Sequence, residues 1–523
     1  MPATGYTDTM RSQLPRPLAR MAAAMEPVVF LGSALTVVAF VLFGALYDQA
    51  AVRLFTAVQD VIVGRLGWFY VLTVSVLLVV VLWLMLGPFG RIRLGGPDAR
   101  PEFGYAGWFA MLFSAGMGTG LVFWSVAEPV THFLDPPALP GVASSQADAM
   151  RVTFFHWGLH PWAVYAVFGL AIAYYHFRHD LPLAPRSLLY PVLGERIRGP
   201  AGHAVDILAT VGTLFGVATS LGFGAMQINA GLAQVSGVPQ GAEVQVLVIA
   251  LITLVATISV VIGLHGGIQR LSKLNMGLAA GMLLFVFLVG PTVYQLEVLT
   301  ASVGGYLQHL VGNSLWLDID GRGGWQADWT LFYWSWWISW SPFVGVFVAR
   351  ISYGRTVREF AVTVLLVPTA ATFLWLAVFG GTALDLALAD TAFAEQVRGD
   401  APMALHAMLA RLPGGSVTGV LATLLVVVFF ITSSDSGSLV DDMVTSGGHP
   451  NPPRAQRVFW AVSEGAVAGT LLLAGGLQAL RTASLTSGLA MAALLLVASY
   501  GLLRSLHRDR AVPGVPGRDK LGP

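Results

Sequence analysis

The chain has 523 residues, of which 55% are hydrophobic and 11% are charged, and its mean hydropathy is +0.71. Soluble domains carry about 25% charged residues, so this composition predicts a polytopic membrane protein rather than a large soluble enzyme. The formal net charge of +1 argues against a nucleic-acid partner, and the absence of cysteine excludes disulfides, thiolate zinc sites and cysteine nucleophiles.

Twelve segments are long enough to span a bilayer, because a transmembrane helix needs about 20 mainly apolar residues. The predicted spans are residues 28–47, 67–87, 105–133, 150–177, 204–234, 243–264, 271–290, 329–351, 357–384, 417–445, 455–476 and 482–504. The connections after the even-numbered spans carry arginines or lysines, and so does the segment before span 1. Basic residues favour the cytoplasmic side, so both termini are predicted to be cytoplasmic.

Span 3 contains the glycine-rich stretch 116–120, which predicts an interruption of its helix. Span 8 is predicted to be interrupted too, because Ser341-Pro342 stands inside it and proline breaks the helical hydrogen-bond ladder. Interrupted helices in matching positions indicate a transporter site at the bilayer midplane. The spacing of five spans indicates two repeats, spans 3–7 and 8–12, and an odd number of spans makes the second repeat inverted. Glycines that merely allow close helix packing would also explain span 3 alone.

Span 4 carries the aromatic and imidazole side chains of His156, Trp157, His160, Trp162 and Tyr165. Trp162 and Tyr165 share a helical face, and Pro161 is predicted to kink the segment. The two histidines are interpreted as residues that orient helices rather than bind a metal, because no carboxylate or third ligand accompanies them.

Span 8 contains the run 333–342, with tryptophan at positions 334, 336, 337 and 340. Indole faces attract cations, and quaternary ammonium groups are common ligands of aromatic cages. The run therefore predicts a cage for a solute with a trimethylammonium head. The alternative is an interfacial aromatic belt, although a belt rarely places Trp336, Trp337 and Trp340 on neighbouring helical positions.

Span 10 groups hydroxyls and one carboxylate over 432–438. Such hydroxyls, together with carbonyls freed by an unwound helix, can complete an oxygen shell around a hard cation. They can equally bond back to their own helix. Ser434, Asp435 and His156 are residue types that suit catalysis, but they lie on different spans without a nucleophile-elbow pattern, so no catalytic residue and no enzyme is expected. A channel would show pore loops or charged rings instead of a cage.

Three stretches resemble motifs of the betaine/choline/carnitine transporter (BCCT) family, in that family's order. They are 334–360 (WSWWISWSPFVGVFVARISYGRTVREF), 116–132 (GMGTGLVFWSVAEPVTH) and 432–442 (TSSDSGSLVDD). The resemblance covers spans 1–12 and implies an all-α polytopic membrane protein of 12 transmembrane helices. It also implies a LeuT-like core of two inverted five-helix repeats after two extra helices, a homotrimer and alternating access.

The resemblance also implies site residues by position. Those expected to bind substrate are a central aromatic box, the tryptophans towards the cytoplasmic exit and the glycines of span 3: Trp157, Trp162, Tyr165, Trp337, Trp336, Trp340, Gly116, Gly118 and Gly120. A sodium ion between spans 3 and 10 would take the side-chain oxygens of Thr432 and Ser433. Its remaining ligands would be the backbone carbonyls of Ser114, Met117 and Phe429.

Two positions bear on the coupling ion. Sodium-independent relatives of the carnitine-exchanger type place an arginine on span 7, where this chain has Asn275-Met276, and some proton-coupled choline carriers have an acidic residue where this chain has Gly120. Import of glycine betaine or a related methylated zwitterion or cation by Na+ symport is therefore expected. Proton-coupled choline transport, Na+-independent carnitine-type exchange, and a substrate-gated channel or membrane receptor are the alternatives. The effect of Thr119 in the glycine stretch stays open.

The expected location is the lipid bilayer of the prokaryotic inner membrane, with no cofactor beyond Na+ as the coupling ion. The expected organisation is a cytoplasmic tail (1–27), two extra helices (28–100), the first repeat (101–300), an extracytoplasmic connection that an amphipathic helix could occupy (301–328), the second repeat (329–505) and a short cytoplasmic tail (506–523).

Overall fold

The computed structural model describes residues 25–116, 118–139, 141–262, 265–319, 324–449 and 452–511, and within them the chain is helical apart from its connections. The helices, numbered in chain order, are α1 Pro27–Leu46, α2 Asp48–Leu86, α3 Tyr105–Gly116, α4 Thr119–Leu134, α5 Gln146–Trp157, α6 Leu159–His179, α7 Tyr190–Leu193, α8 Pro200–Ser236, α9 Ala242–Ile262, α10 His265–Val289, α11 Thr292–Ser314, α12 Phe332–Arg350, α13 Val357–Ala389, α14 Thr391–Gly399, α15 Ala404–Ala410, α16 Gly415–Thr445 and α17 Arg454–Ala511. A π-helical turn, Ala327–Leu331, leads into α12.

Every predicted span falls on one or two of these helices. In the described part of the chain, six helices are long and apolar enough to cross a membrane unaided: α1, α2, α8, α13, α16 and α17. A seventh is added if the segments Lys273–Val289 and Thr292–Ser314, which meet at a bend of 107°, count as one span. The architecture is thus that of an all-helical membrane protein, and the number of twelve spans stays a prediction.

The predicted interruption of span 3 is confirmed. Helix α3 ends at Gly116, and α4 begins at Thr119. Between them Gly118 has an extended backbone, with φ −137° and ψ −170°. Carbonyls at the end of a helix and N–H groups at the start of one have no partner within their own helix, so the break provides backbone groups of the kind that can bind ions or substrate.

The predicted interruption of span 8 is wrong, because α12 is continuous through Pro342. Proline has no N–H to give to the carbonyl four residues earlier, which is that of Ile338. The Ser341 hydroxyl donates to this carbonyl at 2.7 Å and so replaces the missing bond. The irregular backbone lies at the π-helical turn before α12 instead. The two inverted repeats stay a prediction. Of the two helix interruptions on which it was based, only the one in span 3 is present.

Span 4 is broken rather than kinked, and the break is at Gly158 instead of Pro161. Helix α5 ends at Trp157, α6 begins at Leu159, and Gly158 has φ −91° and ψ −128°. Pro161 is the third residue of α6, where a missing N–H leaves no helical bond unmade. A Cβ on Gly158 would lie 2.6 Å from the Phe154 carbonyl oxygen, so close packing requires glycine there.

Helix α17 covers spans 11 and 12, and its direction changes at Gly475 and Gly476, whose backbone angles are not helical. The predicted domain division stays a prediction, and its boundaries at 301 and 505 lie within α11 and α17. Helix α11 begins before 301, and α17 continues beyond 505. Helix α12 lies at the centre of the fold, packed against α6, α8 and α17, and its aromatic side chains are buried there.

Candidate functional site

The aromatic rings of α12 form a buried stack. Trp336 and Trp337 lie parallel with their ring centroids 4.6 Å apart, and Trp340 continues the stack 6.3 Å from Trp336. One turn before Trp337, the Tyr333 ring is parallel to it at 5.7 Å. The tryptophans that the sequence placed on neighbouring positions therefore pack in the protein core, with 1–5% of each exposed, and not at an interface.

The rings of α5 and α6 close onto this stack. Trp157 meets Trp337 edge-to-face at 4.9 Å, and Tyr165 lies 6.5 Å from both Trp337 and Trp340. Trp162 joins through Tyr165, with the two rings 5.5 Å apart. All six aromatic residues predicted to bind substrate thus belong to one connected cluster, which we call the aromatic cage: Trp157, Trp162, Tyr165, Trp336, Trp337 and Trp340.

The polar atoms of the cage divide into bonded and free groups. Trp337 Nε1 donates to the His156 carbonyl at 3.0 Å, and Trp336 Nε1 donates to the Gly216 carbonyl at 3.3 Å. The Tyr165 hydroxyl and Trp340 Nε1 are buried without a hydrogen-bond partner in the described part of the chain. Buried donors are rarely left unpaired, so these two are candidates to bond a ligand.

The glycines of span 3 lie against the cage. A Cβ on Gly120 would be 2.2 Å from Trp336 Cη2, so the ring packs directly on the helix backbone. A Cβ on Gly118 would be 3.7 Å from Trp340 Cη2. Gly116 is the last residue of α3, and its surroundings lie outside the described residues. The Thr119 hydroxyl donates to the Ser220 carbonyl of α8 at 2.9 Å, so it ties α4 to α8.

The predicted ion ligands of span 10 also lie near the break of span 3. The Thr432 hydroxyl is 3.1 Å from the Phe429 carbonyl oxygen and 3.0 Å from that of Val428. Ser433 Oγ would be 3.9 Å from a Cβ on Gly118. The predicted ligands Ser114 and Met117 lie outside the residues whose surroundings the structure describes. The structure thus describes three of the five predicted ligands, and Thr432 is bonded back to its own helix, so the ion site stays a prediction.

Sequence reasoning missed Glu128, a fully buried carboxylate on α4. It accepts hydrogen bonds from Trp157 Nε1 at 2.7 Å and from the Tyr333 hydroxyl, and it lies 2.6 Å from His156 Nδ1 and 3.3 Å from His132 Nε2. A carboxylate therefore does accompany His156, and the prediction that none would is wrong. Glu128 and His132 are four residues apart within a predicted membrane span. Two ionisable groups at that spacing inside a span indicate a functional site, and this pattern could have identified Glu128.

The side chains of Glu128, His132 and His156 offer one oxygen and two nitrogens that all lie within 4.8 Å of one another. This donor set is of the kind that suits a transition metal. The hydrogen bonds just described satisfy the carboxylate without one. His160, the other histidine of span 4, lies apart from them and bonds the Ser314 hydroxyl at 2.8 Å.

Another buried carboxylate joins α17 to α16. Glu464 of α17 is fully buried and accepts a hydrogen bond from the Ser434 hydroxyl of α16 at 3.1 Å. Asp435, which the sequence singled out, is also buried on α16. These groups are separate from the ring contacts of the aromatic cage.

Comparison with known proteins decides the family. Residues 28–511 match the family described as "BCCT, betaine/carnitine/choline family transporter". The chain belongs to this family. It is 46% identical over 496 residues to an uncharacterised transporter of Mycobacterium tuberculosis, covering 93% of this chain and 84% of that one. It is 44% identical over 498 residues to a glycine betaine/proline/choline transporter of Vibrio parahaemolyticus, covering 91% and 89%. It is 42% identical over 476 residues to a glycine betaine transporter of Bacillus subtilis, covering 90% and 93%.

The family membership agrees with the all-helical fold and confirms the resemblance on which the site residues were assigned. The chain is therefore an integral membrane transporter and not an enzyme.

Proposed function

We propose that the chain imports glycine betaine, or a closely related methylated zwitterion, by Na+ symport through alternating access. The observation that carries this proposal is the combination of an aromatic cage with two free buried donors. The rings suit a trimethylammonium head, because cations bind over indole and phenol faces. The Tyr165 hydroxyl and Trp340 Nε1 suit the carboxylate of the same molecule.

The break between α3 and α4 supports the same substrate class. Free N–H groups at the start of a helix attract anionic groups, and the start of α4 packs beside Trp336 and Trp340. Choline has no carboxylate and would leave these donors unpaired. Glycine betaine is therefore preferred over choline, although the Vibrio relative is named for glycine betaine, proline and choline.

Sodium coupling is supported by the neutral oxygens near this break. Thr432 Oγ1 and the Phe429 carbonyl lie together on α16, and Ser433 faces Gly118. In the span-7 region where sodium-independent relatives place an arginine, this chain has Asn275-Met276, two neutral residues of α10, of which Asn275 is buried. The carbonyls at the end of α3 would complete the shell, since they have no helical partners. We also propose that the protein is a homotrimer and that its core has LeuT-like repeats. Its proposed location is the inner membrane, with both termini in the cytoplasm.

The test is uptake of labelled glycine betaine by protein reconstituted into liposomes. An inward Na+ gradient is expected to drive accumulation above the external concentration, and an equal K+ gradient is not. Saturable equilibration without accumulation would indicate a channel, and binding without flux a receptor. Accumulation driven by a proton gradient alone, or only by exchange with preloaded substrate, would favour the alternative couplings. Unlabelled choline is expected to compete less well than unlabelled betaine.

A further inference from the structure

Glu128 joins two elements of the cage through one carboxylate. Its Oε2 accepts hydrogen bonds from Trp157 on α5 and from Tyr333 on α12. Its Oε1 faces the imidazoles of His132 and His156. The group is fully buried, and each oxygen has two neighbours, which is the full accepting capacity of an ionised carboxylate.

Both partners of Oε2 contact the Trp337 ring. Trp157 packs on Trp337 edge-to-face, with the ring planes at 69°, and Tyr333 stacks parallel to it, with the planes at 21°. The Trp157 and Tyr333 rings also contact each other at 5.4 Å, so the three rings form one mutually packed group in which two rings are bonded to the same oxygen. A change at Glu128 would reach the cage through these two rings without a contact between Glu128 and substrate.

We propose that Glu128 is the positioning residue of the aromatic cage and that it makes the cage selective for a cationic head group. This inference rests on the proposed function, namely that a trimethylammonium solute occupies the cage. Glu128 acts through Trp157 and Tyr333 rather than by touching the solute.

Two physical effects act in the same direction. Hydrogen bonds to an ionised acceptor are shorter and stronger than neutral ones, so the rings are held in a defined orientation. An acceptor that bonds the indole N–H and the phenol O–H also polarises both rings, because hydrogen bonds in a low-dielectric interior reinforce one another. Polarised rings have more negative faces and bind a cation better. A neutral solute of the same shape gains much less binding free energy from the polarised rings.

The experiment measures selectivity between two solutes of equal shape. Glycine betaine is compared with 3,3-dimethylbutanoate, in which a carbon atom replaces the ammonium nitrogen and the head is uncharged. Binding of each is measured by isothermal titration calorimetry to the purified full chain in detergent and Na+. The readout is the ratio of the two dissociation constants, which a purely structural loss would leave unchanged.

Glu128→Gln is the main variant. Glutamine can turn its carbonyl oxygen to Trp157 and Tyr333 and its amide to the imidazoles, which can accept when neutral, so the hydrogen-bond pattern can persist. The ratio favouring betaine is expected to fall at least about fivefold. Glu464→Gln is the matched control, because it removes an equally buried carboxylate that bonds Ser434 instead, and its ratio is expected to stay at the wild-type value.

Tyr333→Phe keeps the inference testable if Glu128→Gln does not fold. It retains the stacked ring and removes only the hydroxyl bonded to Glu128, so the ratio should fall in the same direction by a smaller factor. An unchanged ratio in the variants that fold, Tyr333→Phe included, overturns the inference. If the wild-type protein itself binds no betaine, or does not prefer it to the uncharged analogue, the proposed function fails instead.

Discussion

Individual residues of the cage combine two tasks, packing the core and offering ring faces. Trp337 illustrates this, since it contacts Trp157, Tyr165 and Tyr333 and also donates to the His156 carbonyl. Because ring electrostatics and packing are both lost on truncation, a useful substitution must separate them.

Trp337→Leu is expected to weaken glycine betaine binding about tenfold to thirtyfold, and Trp162→Leu to a similar degree. Leucine keeps apolar bulk but has no quadrupole, and a desolvated cation–π contact contributes about 2 kcal/mol. Trp337→Phe should retain part of the affinity. Binding is measured by calorimetry on protein that elutes as a single species.

Trp68→Leu is the control for these tryptophan variants, because Trp68 is 51% exposed on α2. Trp108, which its position outside the motifs first suggests, is unsuitable, since it is fully buried and donates to Ser352 at 3.1 Å. Wild-type affinity in folded Trp337→Leu protein would refute the cage.

Gly120→Ala tests the close approach of α4 to the rings. The added Cβ would lie 2.2 Å from Trp336 Cη2, so the ring must move, and overpacking of this kind costs about 1–3 kcal/mol. The initial rate of betaine uptake is expected to fall about tenfold or more. Gly107→Ala on α3 is the matched control, because a Cβ there would meet nothing within 4 Å. Equal uptake by the two variants would mean that the Trp336 ring can move away from the added methyl group without loss of transport.

At the scale of elements, α12 continues through Pro342, as α4 and α13 continue through Pro129 and Pro368. Ser341 Oγ serves the Ile338 carbonyl that proline leaves without its usual donor.

Ser341→Ala should lower the free energy of unfolding of the detergent-solubilised protein by about 1–3 kcal/mol, because a buried carbonyl loses its partner. The unfolding midpoint should fall accordingly. Ser335→Ala is the matched control on the same helix. Its hydroxyl bonds the Phe332 carbonyl at 2.8 Å, and no proline follows at Trp336, so that carbonyl keeps a backbone donor. The measurement is the unfolding midpoint by scanning fluorimetry, and equal midpoints for the two variants would contradict the role given to Ser341.

At the scale of the whole molecule, the break of span 3 and the hydroxyls of α16 lie together although they are far apart in the chain. Gly118 and Ser433 are near neighbours across the junction of α4 and α16. This junction is where we propose that an ion couples movement of the two parts to substrate binding.

Thr432→Ala with Ser433→Ala is expected to raise the Na+ concentration that gives half-maximal uptake at least about tenfold, because two oxygen ligands are lost. Liposome uptake at graded Na+ concentrations measures this. Ser436→Ala, on the same helix and outside the proposed shell, should keep the wild-type requirement. An unchanged requirement in the double variant would remove Na+ from this site.

The sequence by itself determined the features that depend on local composition and on helix-breaking residues. Apolar length predicted helices at all twelve spans, the glycine stretch predicted the break at Gly118, and the tryptophan run predicted a buried aromatic group on span 8. Recognition of the family motifs placed the remaining cage residues. These signals are local, so they survive without knowledge of packing.

Only the tertiary structure decided how these segments meet. The carboxylate of Glu128 bonds Trp157 across 29 residues of chain and Tyr333 across 205, and no local pattern encodes such pairs.

At the break of span 4, a Cβ on Gly158 would lie 2.9 Å from Phe373 Cζ, another distant contact. In α12, the Ile338 carbonyl that Pro342 leaves without its usual backbone donor accepts from the Ser341 hydroxyl. Each of these features depends on whether a buried polar group has a hydrogen-bond partner or a side chain has room. Both depend on neighbouring residues that only the packing of the helices brings together.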